Sequence, residues 1–278
     1  HDALPIFISL CHLDLSDNEL TGSIPPELGD LTNIGWCRYS VSTARDLAML
    51  KVGIDSPYAG ASSAGPRTRR RPPQPTTGYI DLSGNHLTGE VPVQLGDIED
   101  PSGVYLSCNM LSGDFPPEVS RVIRWGSIDF NALTGYDPTI FPGWSWYLTQ
   151  TVAPTDLSVT GSSNGDPITL SWTPISYTED GGYYEISYAT APGGPFTVYG
   201  QTVDKTVSSY TVQLPPHATP YYFRLRTFTD PHDANSDYEC DYQPNTVISE
   251  YTEVVASGGW DPPPTETPTP TPTGTSTP

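Results

Sequence analysis

Basic residues are scarce in this chain. Twelve lysines and arginines stand against 32 aspartates and glutamates, a formal net charge of −20. Such a surface repels nucleic acid and anionic membranes, so neither is an expected partner. No apolar run approaches the roughly 18 residues of a membrane span, and no membrane insertion is expected. Catalytic patterns are missing too. There is no H-E-x-x-H, no G-x-S-x-G and no phosphate loop, and His1, His12, His86, His217 and His232 are scattered. The chain is therefore expected not to be an enzyme. Four cysteines (Cys11, Cys37, Cys108, Cys240) show no paired spacing and no C-x-x-C. Neither a metal site nor a disulfide framework is expected from them. No R-G-D tripeptide occurs.

What the chain does have is an internal repeat. Leu10 to Leu31, LCHLDLSDNELTGSIPPELGDL, returns as Ile80 to Ile98, IDLSGNHLTGEVPVQLGDI, and twice more in eroded form. Each unit centres on an asparagine: Asn18, Asn85, Asn109 and Asn131, the last three 24 and 22 residues apart. Leu13 and Leu15, or Ile80 and Leu82, sit two apart and point to one side of a short strand. One unit cannot bury that apolar face alone, so the units must stack. The asparagine can bond backbone groups where the strand ends. Gly22, Gly89 and Gly113 follow at the bend.

The pattern resembles plant-type leucine-rich repeats, whose L-T-G-x-I-P stands here as Leu20 to Pro25, Leu87 to Pro92 and Leu111 to Pro116. The resemblance implies a solenoid of short parallel strands with few helices, binding a ligand on its concave wall. In the register of the asparagines, the solvent-facing strand positions are His12, Asp14, Tyr79, Asp81, Tyr105, Trp125, Ser127 and Asp129. A wall mixing carboxylates with aromatics suits a protein or glycan ligand. Asp14 and Asp81 occupy equivalent repeat positions, which repetition explains better than a general acid/base pair.

The repeat is interrupted between Asn18 and Asn85. Residues 36–77 show no L-x-L-x-x-N and hold seven of the twelve basic residues, with the run Pro66-Arg67-Thr68-Arg69-Arg70-Arg71-Pro72. One reading is a basic loop for an anionic glycan or nucleic acid. The other is repeat sequence carried out of frame, favoured by the abrupt edges, and a natural island is the third. On any of them a continuous solenoid is not expected there. The chain opens in mid-repeat, since Leu4, Phe7 and Leu10 read as the end of an earlier unit. After Asn131 the repeat fades, and Trp144-Ser145-Trp146-Tyr147 reads as a hydrophobic cap on the last unit.

From Ala153 the period changes to two. Ile168-Leu170-Trp172, Tyr184-Ile186-Tyr188, Tyr210-Val212 and Tyr221-Phe223-Leu225 are same-face ladders between turn clusters such as Asn164-Gly165-Asp166-Pro167. Several short strands over about 100 residues read as an all-β sandwich. The residues resemble a fibronectin type III domain, with Trp172 on the second strand and Tyr221 as the corner tyrosine. The usual leucine-x-proline-glycine before that corner is Leu214-Pro215-Pro216-His217-Ala218, a departure that suggests a rebuilt corner. Tyr222, Arg224, Arg226 and Phe228 face outward, either as a contact stripe or as arginine stems lying over aromatics.

The expected organisation is multidomain: a leucine-rich repeat region (1–150), a type III-like sandwich (151–258) and a disordered Thr/Pro-rich linker (259–278). The last 19 residues hold seven prolines and seven threonines, too little apolar surface to form a core. No cofactor is expected beyond a calcium ion, for which Asp230, Asp233, Asp237, Glu239 and Asp241 could supply oxygen ligands. An acidic, solvated loop is the alternative. These features suggest a bacterial extracellular or cell-surface adhesion protein, monomeric and tethered through its C-terminal linker. The alternatives are an accessory region of a larger secreted hydrolase, or a structural envelope component.

Overall fold

The computed structural model describes residues 10–31, 39–41, 78–98, 103–123, 126–140, 143, 145–233 and 242–259. No α-helix occurs among them. In the repeat region, strands β1 (Leu10–Asp14), β2 (Thr21–Ser23), β3 (Tyr39–Val41), β4 (Tyr79–Asp81), β5 (His86–Gly89), β6 (Gly103–Tyr105), β7 (Met110–Asp114) and β8 (Ala132–Thr134) form two parallel sheets. Their orders are β3-β1-β4-β6 and β2-β5-β7-β8. Three 3-10 turns, Pro26–Asp30, Val93–Asp97 and Pro117–Arg121, complete the repeats. The turn of each repeat begins after a proline whose extended backbone (ψ near 130°) halts the preceding segment.

The apolar face anticipated from the i, i+2 leucines closes into one core running from Leu13 and Leu15 to Leu133 and Trp146. Polar groups inside it are matched. Asn85 Nδ2 donates to the carbonyls of Leu15, Leu82 and Ser83, and its Oδ1 accepts from the Leu20 amide. Asn109 and Asn131 repeat this one unit further on, each joining its own repeat to the one before. Gln150 supplies the last rung, bonding the Ile128 carbonyl and the Leu133 amide. A glycine in or directly after each second-sheet strand sits at φ between 78° and 90° (Gly22, Gly89, Gly113, Gly135), a conformation a Cβ opposes.

The interruption does not break this stack. His12, Leu13 and Asp14 pair directly with Tyr79, Ile80 and Asp81, so the repeats of Asn18 and Asn85 are neighbours in space. Thr21 to Ser23 pair in the same way with His86 to Thr88. The expected discontinuity falls on residues 36–77, which apart from 39–41 lie outside the described residues. At the other end, Trp146 is buried against Phe115 and Tyr136, with ring centroids 5.5 and 5.8 Å away. It covers the apolar end of the final repeat. Trp144 lies outside the described residues.

At Thr151 pairing changes from parallel to antiparallel. Strands β9 (Thr155–Thr160), β10 (Ile168–Thr173), β11 (Gly182–Ala189), β12 (Thr197–Gln201), β13 (Ser209–Val212) and β14 (Tyr222–Thr229) carry the sandwich. They are followed by β15 (His232–Asp233), β16 (Tyr242–Gln243), β17 (Val247–Ile248) and β18 (Val255–Ala256). One sheet has the order β13-β10-β9, and the other β12-β11-β14-β17 with β18 also on β14. Strict in/out alternation along β14 puts Phe223, Leu225 and Thr227 inside, with Tyr222, Arg224 and Arg226 on the other face. Trp172 is buried edge-on against Tyr184 at 5.4 Å. The corner survives its altered sequence: Tyr221 Oη donates to the Pro215 carbonyl at 2.8 Å. Tyr221→Phe should therefore lower sandwich stability by about 1 kcal/mol in urea denaturation, the usual worth of one such bond. A change below a few tenths would show that the bond is dispensable.

Candidate functional site

Two of the parallel strands set out the candidate binding face. Along β1 and β4 every second side chain enters the core, so His12 and Asp14, Tyr79 and Asp81 are left on the opposite side, half-buried. Register then orders them into rows. His12 lies beside Tyr79, while Asp14, Asp81, Tyr105 and Ser127 run across four neighbouring repeats. The rings interlock edge to face: His12 to Tyr79 at 4.8 Å and Tyr79 to Tyr105 at 6.1 Å. Such T-shaped pairs favour one fixed arrangement.

The carboxylates are held from below. Asp14 Oδ1 accepts from the amide and hydroxyl of Ser16, and Asp81 Oδ1 from those of Ser83. The sequence carries this as a repeated Asp-Leu-Ser (Asp14-Leu15-Ser16, Asp81-Leu82-Ser83), a signal the sequence reading passed over. Adjacent strands place these two carboxylates about 5 Å apart on one face. Like charges at that spacing repel and favour a cation between or above them. Their field is felt by Tyr79, whose phenol is pushed up to about 12 by burial first and by the charges of Asp14 and Asp81 next. It stays a neutral hydrogen-bond donor, with Asp14 as its acceptor. Burial lowers the pKa of His12 against the opposing pull of Asp14, so the imidazole is predominantly neutral near pH 7.

Not every position expected on this face is there. Asp129 is buried, 7% exposed, with Oδ1 accepting from the Thr149 hydroxyl at 2.9 Å. Burial raises its pKa, with the Thr149 bond opposing. The segment leading to Gln150 covers it, so Asp129 belongs to the closing structure rather than to a solvent-facing wall. Ser127 is half-buried and accepts from the Ser107 hydroxyl at 2.7 Å. Trp125 lies outside the described residues.

Of the candidate calcium ligands, Asp230 and Asp233 are exposed, whereas Asp237, Glu239 and Asp241 lie outside the described residues. Among the described residues no three His, Cys, Asp or Glu side chains are grouped to hold a metal. The outward stripe on β14 is closely self-paired. Arg224 lies 3.6 Å over the Tyr251 ring and 4.1 Å over Phe196, and Arg226 binds Glu185 at 2.8 Å. Arginine stems lying over aromatic rings describe it.

The sandwich also contacts the repeats, which no sequence signal announced. Gln243 Nε2 donates to the carbonyls of Asn109 (3.1 Å) and Phe130 (2.6 Å). Asn245 Nδ2 donates to the Asn85 carbonyl at 2.7 Å, and its Oδ1 meets His86. Within the sandwich, at its first residues, Thr151 bonds Thr229, and Thr227 bonds the Val152 carbonyl. Beside them, Cys108 and Phe130 pack with Tyr177 of the sandwich, and His232 lies edge-on to Phe130 at 5.2 Å. Cys108 is fully buried and disulfide-bonded, a bond that the spacing of the cysteines did not signal.

Parallel repeats stitched by buried asparagines, followed by an antiparallel sandwich with a tyrosine corner, are similar to leucine-rich repeats and to Fn3-like domains. The leucine-rich repeat family model matches residues 9–31 and 78–98. No curated protein matches the chain. Similar solved structures include the BIR3–SERK2 complex of Arabidopsis thaliana, at 27% identity over 48% of this chain and 50% of that one, TM-score 0.29. The BIR2 ectodomain of the same plant is 27% identical over 50% of this chain and 51% of that one, TM-score 0.29. A Fn3-like protein from Clostridium thermocellum is 19% identical over 40% of this chain and 97% of that one, TM-score 0.27. The chain spans about half the length of the repeat structures it resembles. Leucine-rich repeats suggest protein binding, and among the described residues no helix is long and apolar enough to cross a membrane.

Proposed function

We propose that the chain is a non-catalytic extracellular binding protein that recognises a ligand on the face formed by β1, β4 and β6. The observation that carries the reading is the ordered row of Asp14, Asp81 and Tyr105 beside the His12–Tyr79 pair. Paired carboxylates with interlocked rings suit a protein ligand presenting lysine or arginine, which aromatic faces also attract. The disulfide at Cys108 supports an oxidising, extracellular setting. The Thr/Pro-rich tail would act as a spacer of polyproline type.

The test is a screen of the purified chain against arrayed secreted proteins and glycans. Protein hits are expected to lose about tenfold or more in affinity on the double change Asp14→Ala with Asp81→Ala, as for a desolvated charge contact. Binding should also weaken as salt rises. Hits whose affinity ignores both changes would move the ligand site to the sandwich, and hits confined to glycans would replace the protein ligand.

A further inference from the structure

Two arginines share the outer face of the sandwich, and only one of them has a counter-ion. We propose that the other, Arg224, anchors a second binding site, which takes one aspartate or glutamate side chain of a partner protein. Arg224 and Arg226 stand two residues apart on β14 and so project from the same side of the sheet. Arg226 shows what completes such a group. Its neighbour on β11 is Glu185, and its Nε donates to Glu185 Oε1 at 2.8 Å. The neighbour of Arg224 on that strand is Ser187, which is buried and brings no charge.

The guanidinium of Arg224 is nevertheless held in place. Its carbon stands 3.6 Å from the ring centroid of Tyr251 and 4.1 Å from that of Phe196. Tyr251 is shared with Arg226, at 4.7 Å, and Phe228 closes the row at 4.8 Å. The rings attract the cation through their faces, whereas all five guanidinium donors lie in its own plane. Ring packing therefore fixes the group and leaves its donors unspent.

Nothing in the protein takes those donors up. Nε is buried without a hydrogen-bond partner, while the Nη pair of this half-buried residue reaches solvent. Among the described residues no carboxylate pairs with Arg224. A planar fork of N–H donors, held rigid and uncompensated, matches the two oxygens of a carboxylate. Its rigidity also removes the ordering cost that a free arginine would bring to binding.

The surroundings select the class of partner. Val198 is the strand partner of Ser187 on β12 and so shares the face of Arg224, 55% exposed. Val254, next to the Val255 that pairs with Phe223, is 39% exposed. Exposed aliphatic side chains around an arginine are the make-up of a protein contact. A polyanion is disfavoured, because the chain carries −20 and Glu250 and Glu253 stand exposed on either side of Tyr251. A single carboxylate meeting a single unpaired cation escapes most of that repulsion. This site lies on the sandwich and does not depend on the face formed by β1, β4 and β6.

The test presents the full chain with arrayed short blocked peptides whose central residue is Asp, Glu, Asn or Gln between varied apolar residues. Peptides centred on Asp or Glu are expected to bind about tenfold or more tighter than their amide counterparts. Arg224→Gln should remove that preference, and Ser187→Asp, which offers Arg224 an internal carboxylate, should remove it too. Asp14→Ala with Asp81→Ala should leave it intact, which separates this site from the repeat face. Because either change on the sandwich can disturb the ring stack, the unaltered chain is also followed by the NMR signals of its arginine Nε–H groups. The tightest acidic peptide should shift Arg224 saturably and leave Arg226 in place. No preference for carboxylate over amide, equal preference in Arg224→Gln, or equal shifts of both arginines overturns the proposal.

Discussion

Asn109→Ala is expected to cost about 4 kcal/mol, enough to threaten a domain whose total stability is of order 5–15 kcal/mol. The side chain is fully buried and makes four bonds to backbone: to the carbonyls of Leu82, Leu106 and Ser107, and from the Leu87 amide. Alanine removes all four and leaves the Leu87 amide without its side-chain acceptor. The neighbouring repeats lose their stitch at the same stroke, because Leu82 and Leu87 belong to the preceding unit. Asn18→Ala is the built-in comparison. Asn18 is only half-buried and bonds the carbonyls of Leu15 and Ser16 within its own repeat, so about 1 kcal/mol is expected. Urea denaturation followed by far-UV circular dichroism measures both. Equal losses for the two variants would show that the interior rung has no special weight.

The second large effect is expected in the sandwich. Lys205 is almost wholly buried and pairs with Asp180, their side chains 0% and 2% exposed, while Nζ also donates to Thr229 at 3.0 Å. Burial drives the ammonium below its usual pKa, and Asp180 holds it up. Removing one partner of such a pair leaves the other charge buried without its counter-ion, a loss of roughly 3–5 kcal/mol. Lys205→Ala should therefore destabilise the sandwich by about that amount. Lys205→Met with Asp180→Leu removes both charges and should recover most of it, since no buried charge is left to desolvate. If the double variant is as unstable as the single one, packing around the lysine stem rather than charge carries the loss. Thermal denaturation distinguishes the two. The pair lies under the junction as well, because Thr229 also takes the Thr151 hydroxyl bond.

Much of this fold was legible in the chain. The spacing of Asn85, Asn109 and Asn131 announces the ladder, and the alternation in Tyr221-Phe223-Leu225 announces β14, because both follow from local geometry. What escaped the sequence is set by contacts between distant segments. Gln150 completes the ladder with a longer amide side chain, after a 19-residue interval that ends in a different residue type. Asp129 stands two residues after that row, at the repeat position of Ser16 and Ser83, and is bonded by Thr149, in a segment beyond the periodic pattern. Gln243 and Asn245 read as ordinary loop polars until Asn109 and Asn85 stand opposite them. Cysteine spacing is likewise silent about the disulfide at Cys108. At the candidate binding face, the residue types were visible but not their pairing into rows, which needs the register between strands.

The direct meeting of the Asn18 and Asn85 repeats has a thermodynamic corollary. The connection from Leu31 to Gly78 is about ten times as long as that from Ile98 to Gly103, yet both join adjacent repeats. Loop-closure entropy grows only with the logarithm of length, so the longer connection adds about 2 kcal/mol. One buried asparagine rung is of comparable size or larger. A stack built from nearest-neighbour contacts can therefore accept a long connecting segment at a single join.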